Sequence, residues 1–400
     1  MAKFRYRALT ATKEKVEGFY VAKSKDEVIS ILVANNHYPL LVEEVNDLLN
    51  TEIGFKKKVK LKDIAIFCRQ FYTMVDAGVK LDSCLHILAT QLTHPVLKQA
   101  VADVHNEVKN GTMLSKAMNH HSDVFPNLLV KMISAGEISG NLDVILLRMS
   151  TYYEKENKVS NKIKSAMIYP TVLASVATVA VMIILTYVMP TFIEMFNQNG
   201  VELPLLTKGL LAVSSFLSSY FFIVMGVSFV VIFLFRLYSK TDQGYYRLSQ
   251  FKLWAPILKP LNEKIVVARF TRTISTLLAG GIPIAQGIQM TSEVVQNKLV
   301  EDKLTEVKEK VIKGEIFSHA IRDSGVFPSM LASMINIGEQ TGSLDDILHK
   351  TADFYEDELE AQIQMTTALV EPLMIVAMGI IIGVIVMAIM IPMFEMYTQL

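Results

Sequence analysis

The chain has 400 residues, of which 51% are hydrophobic and 20% are charged, and its formal net charge is +0. A soluble protein of this size is rarely so apolar, so the composition indicates a membrane protein with large soluble parts. Because basic residues are not in excess, the charge balance argues against nucleic acid as a partner and leaves proteins and the lipid bilayer.

The first 50 residues are expected to form a small α/β domain. Alternating segments at Phe4–Ala8 and Val16–Val21 predict two short strands. Ser24 is a suitable N-cap for a helix predicted over Lys25–Asn35, and Tyr38–Val45 predicts a third strand. This composition differs from that of the remaining chain, so the segment is interpreted as a separate appendage.

Residues 51–60 are predicted to be a polar linker, which ends in the basic run Lys56–Lys60. This run is either a solvated segment or a contact to anionic lipid. Two cytoplasmic helical bundles are predicted after it, over residues 61–166 and 265–369. The first opens with apolar residues at helical spacing from Leu61 to Val75 and stops at Gly78.

The two bundles and the apolar segments that follow them are copies of one another. Residues 66–197 recur as residues 269–400, with an offset of 203 positions at first and 202 positions after a one-residue deletion in a loop. The matched pairs include Arg69 with Arg272, Tyr153 with Tyr355, Glu154 with Glu356, Pro170 with Pro372, and Pro190 with Pro392. The period is far longer than that of solenoid repeats, so it indicates a domain duplication.

Three membrane spans are predicted from long apolar runs, over residues 167–193, 209–236 and 370–394. Each exceeds the roughly 20 residues that an α-helix needs to cross a hydrocarbon core of about 30 Å. Four lysines precede the first span and basic residues follow the second, whereas the loop 194–208 has one lysine. This distribution predicts a cytoplasmic N-terminus and connector (237–264), with the loop 194–208 and the tail 395–400 outside.

Signatures of catalysis are missing from the sequence. It has no Gly-rich phosphate loop, no zinc spacing and no nucleophile elbow, so no enzyme activity, cofactor or metal site is predicted. His120 and His121 are interpreted as a surface pair, and Cys68 and Cys84 as reduced, packed thiols. The uncharged cores of the three apolar runs also argue against an ion path or a membrane-embedded protease.

Candidate functional residues cluster in two Gly-Glu turns and at the last span. The turns are hypothesised to be hinges or contacts for a partner, with capping of the following helix as the alternative; their residues are Gly136, Glu137, Gly140, Gly338, Glu339 and Gly342. Glu371 heads the last span, where the first copy has Tyr169, and it either snorkels to the interface or binds a partner. Gly379 and Gly383 form a small-xxx-small pair suited to helix packing within or between subunits.

These motifs together resemble the GspF/PilC family of platform proteins from type II secretion systems and type IV pilus machines. The resemblance covers the whole chain and is carried by the opening Phe4–Ala8, the helix from Arg69 to Val79, Gly136–Gly140 with its copy Gly338–Gly342, and Pro392 with Phe394. It implies an all-α polytopic membrane protein of three spans and two bundles.

The resemblance also implies a function. Members of the family are non-enzymatic, multi-pass proteins of the cytoplasmic membrane that oligomerise and contact a hexameric assembly ATPase. They help to move pilin or pseudopilin subunits from the bilayer into a filament. Other machine components of the inner membrane are further expected partners. A sensor or adaptor that merely anchors helical bundles to the membrane is the alternative, and pilus, secretion and competence systems are not distinguished.

Overall fold

A computed structural model describes residues 2–9, 15–22, 25–34, 37–45, 58–198, 204–239, 241–255 and 258–399. The chain divides into two compact units, Met1–Lys58 and Val59–Leu400. The predicted linker lies mostly outside the described residues, since residues 51–57 are among those left out.

The N-terminal unit is a three-stranded antiparallel sheet with one helix. Its strand order is β2-β1-β3, and its elements are β1 (Ala2–Leu9), β2 (Lys15–Ala22), α1 (Lys25–Ala34) and β3 (Tyr38–Val45). Alternate residues of β1, Phe4 and Ala8, point to one face, where they are buried with Val28 and Leu32 of α1. The period-2 pattern of the strand and the helical spacing of α1 therefore meet in one small core.

The larger unit contains two copies of a six-helix arrangement. Repeat 1 comprises α2 (Leu61–Asp76), α3 (Leu81–Gln91), α4 (Pro95–Lys109), α5 (Leu114–His120), α6 (Asn127–Ser139) and α7 (Leu142–Ile183). Repeat 2 comprises α12 (Leu258–Ala279), α13 (Ile284–Val294), α14 (Lys298–Ile312), α15 (Phe317–Ser324), α16 (Ser329–Thr341) and α17 (Leu344–Gln399). Both repeats end the helix before the long one in the left-handed conformation, at Gly140 (φ 74°) and Gly342 (φ 70°).

Each repeat has its own hydrophobic core, and the two cores share residues at their boundary. Phe67, Phe71 and Phe125 are fully buried in repeat 1, as is Phe270 in repeat 2. The first core also takes in Leu277, Ile282 and Met290 from repeat 2, while Val159, Ile163 and Ala166 of α7 pack against the second core. The repeats are therefore packed against each other rather than merely connected.

The long helices α7 and α17 continue from the bundles into apolar segments without a break. After α7 the chain makes a π-helical turn, Ile184–Val188, and proceeds into α8 (Met189–Gln198). Two helices of the described chain are long and apolar enough to cross a membrane, Leu142–Phe196 and Leu344–Phe394. Pro170 lies within α7, and Pro372 and Pro392 lie within α17.

The predicted second span does not form one helix. The segment is divided into α9 (Leu205–Ser219) and α10 (Phe221–Tyr238), with Tyr220 outside helical geometry at φ −117° and ψ 21°. The serines at 218 and 219 just before the break have weaker helix propensity than the leucines earlier in α9, and they favour turns and caps. A short helix, α11 (Asp242–Trp254), then joins α10 to α12, so repeat 2 begins seven residues before the predicted boundary at 265.

Candidate functional site

The junction between the repeats runs along α7 and α17, which lie side by side. Lys155 on α7 donates to Asp353 Oδ1 at 2.6 Å and lies 3.1 Å from Glu356 Oε2, both on α17. Lys162 pairs with Glu360 further along. Partners on the two helices are near-equivalent positions in the duplication, so the helices run parallel and in register.

An arginine from the first helix of each repeat binds the long helix of the same repeat. Arg69 makes a two-pronged contact with Glu154, at 2.9 Å and 2.7 Å. Its copy Arg272 contacts Glu356 and Asp353, each at 2.5 Å. The Arg69 pair is exposed, whereas Arg272 is buried, so the second copy depends far more on its acidic partners.

The ionisation of this cluster follows from its contacts. Burial by itself would lower the pKa of Arg272, but the hydrogen bonds and charges of Glu356 and Asp353 raise the pKa overall. Partial burial likewise opposes ionisation of Asp353, and Lys155 and Arg272 outweigh that effect and lower its pKa. Arg272 and Asp353 are therefore stabilised in their charged forms, and the cluster joins α7, α12 and α17 through its hydrogen bonds.

A second polar contact crosses the junction near a cavity of about 470 Å³. Glu156 on α7 lies 3.5 Å from Arg269 on α12, and both line that cavity. Burial raises the pKa of Glu156 even though Arg269 opposes the shift. The buried Tyr152 hydroxyl lies 3.2 Å from Thr273 Oγ1. Side chains of the two repeats thus share polar contacts inside the protein.

Glu371 lies at the membrane end of the same junction. Tyr169 Oη donates to Glu371 Oε1 at 3.2 Å, although the two residues are equivalent positions of the duplication. They line an open groove of about 820 Å³ between α7 and α17, with Lys158, Asn161 and Gln364 among its other lining residues. The sequence marked both positions but gave no sign that they would touch.

The two predicted glutamates cap helices that precede them in the chain. Glu137 accepts from the backbone N–H groups of Leu114 and Ser115 at 2.6 Å and 2.9 Å, the first residues of α5. Glu339 accepts from Phe317 and Ser318 at 2.9 Å and 3.1 Å, at the start of α15. The two side chains thus cap an earlier helix and not the one that follows them in the chain. The acceptor serves a helix 21 to 23 residues earlier, where no local capping pattern indicates it.

The turns predicted over 136–140 and 338–342 are mostly helical, because α6 continues to Ser139 and α16 to Thr341. Gly136 and Gly338 lie inside these helices and allow a close helix approach. A Cβ added at Gly136 would lie 3.0 Å from Ile145 of α7, and one at Gly338 would lie 2.9 Å from the Cα atom of Leu344 in α17. Gly136 and Gly338 therefore let α6 and α16 approach the following long helix closely. These contacts are intramolecular, and a role of the turns as hinges or partner contacts stays a prediction.

The small pair in the last helix makes no helix contact within the described chain. A Cβ built at Gly379 or at Gly383 meets no atom within 4 Å. Within the described chain, no helix packs closely against these glycines. Packing between subunits stays a prediction.

The cysteines and the histidine pair singled out in the sequence have ordinary packing and surface contacts. Cys68 and Cys84 are free and buried, as predicted for packed thiols, and burial raises the pKa of both. His120 Nδ1 lies 2.9 Å from Glu107 Oε2 on the surface. Within the part of the chain that the structure describes, no group of three or more His, Cys, Asp or Glu side chains is arranged to hold a metal ion.

These features define a class: a duplicated helical protein whose bundles continue into apolar helices, with polar contacts that join the repeats. Comparison with known proteins then gives the family. The family model of type II secretion system protein F matches residues 67–190 and 270–392, which are the two copies of the duplication. The chain belongs to this family.

Curated relatives match along nearly the whole chain. The type IV pilus assembly protein PilC of Myxococcus xanthus is 35% identical over 398 residues, which cover 99% of this chain and 95% of the relative. PilC of Thermus thermophilus is 34% identical, with 99% and 98% covered. The type II secretion system protein F of Pseudomonas aeruginosa is 29% identical, with 98% of each chain covered. The relatives thus include proteins of both kinds of machine.

Proposed function

We propose that this protein is a non-enzymatic platform in the cytoplasmic membrane. It couples a hexameric assembly ATPase to the extraction of pilin or pseudopilin subunits from the bilayer and to their polymerisation. The observation that carries the proposal is the continuity of α7 and α17, each of which extends as a single helix from its bundle into an apolar segment. A displacement of a bundle is transmitted along such helices, because backbone hydrogen bonds join their successive turns except at the prolines.

The junction supports the same role. Lys155 and Lys162 of α7 pair with acidic side chains of α17 and hold the long helices of the two repeats together on the cytoplasmic side. Force applied to one bundle is therefore shared with the other before it reaches the membrane.

We further propose three crossings, formed by α7 with α8, by α10, and by α17. The 18 residues of α10 give a length of about 27 Å, close to the thickness of a hydrocarbon core. Every residue of α10 for which exposure is described is exposed, as is expected of a helix surrounded by lipid. The N-terminus is then cytoplasmic and the C-terminus external, in line with the distribution of basic residues.

The protein is further proposed to work as a homo-oligomer among other inner-membrane components. Gly379 and Gly383 present a small-residue stripe without a partner helix in the described chain. Such a stripe allows two helices to approach closely. An oligomer that forms through this stripe would place the α17 helices of neighbouring subunits together.

Photo-crosslinking in native membranes tests the function. A photoreactive residue replaces Ile138, which is 78% exposed beside Glu137, or replaces the exposed Gln340 beside Glu339. A third probe replaces Val376, which is exposed on the apolar part of α17. We expect the first two probes to capture an assembly ATPase and the third to capture a pilin-like subunit.

The control is a strain without the ATPase, in which the ATPase adduct must disappear. Folded protein that captures neither partner would overturn the platform proposal and favour the membrane-anchored adaptor. The kind of pilin captured would show whether the machine is a pilus, a secretion system or a competence system.

A further inference from the structure

Two equivalent prolines interrupt the hydrogen bonding of the membrane helices. Pro190 in α8 and Pro392 in α17 occupy matching positions of the duplication. Proline has no backbone N–H, so each one leaves a helix carbonyl without its usual donor. In hydrocarbon no water replaces that donor, and an unsatisfied carbonyl costs several kcal/mol.

The orphaned carbonyls can be identified from the local geometry. In α17, an α-helix, the missing donor of Pro392 would have served Ala388, four residues earlier. The first copy has a π-helical turn, in which Met189 N–H bonds to the Ile184 carbonyl five residues earlier. In the same pattern Pro190 would have served Leu185. The two orphans are thus the carbonyls of Leu185 and Ala388.

Hydroxyl groups of α9 donate to these two carbonyls. Thr207 Oγ1 donates to the Ala388 carbonyl at 2.7 Å, and Ser214 Oγ donates to the Leu185 carbonyl. Thr207 and Ser214 are 1% and 3% exposed, in a helix that is otherwise largely exposed. The first bond joins α9 to α17, and the second joins α9 to the π-helical turn after α7.

The spacing of the hydroxyls shows how α9 is oriented. Thr207 and Ser214 are seven residues apart, so they share one face and lie about 10 Å apart along the axis. Leu185 and Ala388 differ by one position in the duplication, so they lie at nearly the same level of two adjacent helices. Packed helices are about 8–10 Å apart. Thus α9 crosses over both helices rather than running beside one of them.

We propose that α9 is a clasp on the outer part of the membrane region, which holds the helices of the two repeats together by donating to the carbonyls that their prolines leave free. The level of Leu185 is about 22 Å beyond Pro170, at the far side of the hydrocarbon core. The clasp complements the ion pairs at the cytoplasmic end of the same helices. It concerns the membrane region alone and does not depend on the identity of the partners.

A double-mutant cycle tests the clasp in the full-length protein in detergent. In SDS titrations, Thr207→Val is expected to lower the ratio of folded to unfolded protein by about three- to tenfold. This is the size of an interhelical hydrogen bond in membranes. In a Pro392→Ala background the new N–H serves Ala388, so Thr207→Val should then have little effect. Thr178→Val is the matched control, because Thr178 bonds to a carbonyl of its own helix.

An equal loss from Thr207→Val in both backgrounds would overturn the proposal, because the loss would then come from packing. Thr207→Ser provides a second criterion if Pro392→Ala does not fold. It retains the hydroxyl and removes a methyl group, so it should keep stability within about twofold of the wild type. A Thr207→Ser loss as large as that of Thr207→Val would also overturn the proposal.

Discussion

Replacement of Glu339 by alanine separates a structural role of the Gly-Glu turn from a partner contact. The carboxylate accepts from two backbone N–H groups at the start of α15, at 2.9 Å and 3.1 Å. Its removal leaves both donors without this acceptor and takes a negative charge from the positive end of a helix. A capping side chain contributes about 0.5–2 kcal/mol, and a second bond with the dipole adds a similar amount. We expect a loss of about 1–4 kcal/mol in the free energy of unfolding.

Urea unfolding of the full-length protein in detergent, followed by far-UV circular dichroism, measures this loss. The matched control is Glu306→Ala, because Glu306 is 61% exposed and pairs with Lys303 of its own helix. Exposed pairs of this kind contribute about 0.2–1 kcal/mol. Glu339→Gln should lie between the two, since its amide keeps one acceptor oxygen and loses the charge.

A midpoint for Glu339→Ala that matches Glu306→Ala would refute the capping argument. If that stable variant also failed to crosslink the ATPase through position 340, Glu339 would instead be a partner contact. A destabilised variant that still crosslinks normally would confine the role of Glu339 to the fold.

Three further outcomes are expected. Gly338→Ala should lose about 1–3 kcal/mol of stability and Gly136→Ala less, because the first Cβ meets backbone at 2.9 Å and the second a side chain at 3.0 Å; equal urea midpoints would contradict this. Cys68 and Cys84, buried with raised pKa values, should resist maleimide in the folded protein and react after SDS unfolding, as mass spectrometry can show. Burial raises the pKa of Glu156, so ionisation of this carboxyl group disfavours the folded state. The free energy of unfolding of the wild type, relative to that of Glu156→Gln, should therefore fall as pH rises above about 4.3. A difference that stays flat or rises with pH would contradict this.

Periodicity and duplication in the sequence predicted the features that depend on local pattern. The bundles follow from apolar spacing and helix signals. The turns predicted over 136–140 and 338–342 are mostly helical instead, because α6 continues to Ser139 and α16 to Thr341. The offset between the repeats also matched Arg69 with Arg272. The structure gives both arginines the same role, since each binds the long helix of its own repeat.

The contacts that the sequence did not predict link positions far apart in the chain. Glu137 caps a helix 22 and 23 residues before it, and Thr207 donates to a carbonyl 181 positions away. Sequence patterns of helix caps involve only neighbouring residues, so they indicate neither of these contacts. The break at Tyr220 was also missed, because an apolar run has the same composition whether it forms one helix or two.

The contact between Tyr169 and Glu371 has a consequence for how the two halves of the chain can diverge. Equivalent residues of two copies touch only beside the axis that relates the copies. In a pair of identical chains this place would hold two tyrosines or two glutamates, and adjacent carboxylates repel one another. Joining the copies in one polypeptide allowed a donor on one side and an acceptor on the other. A molecule that approaches along this axis therefore meets two unlike halves, and it can distinguish one from the other.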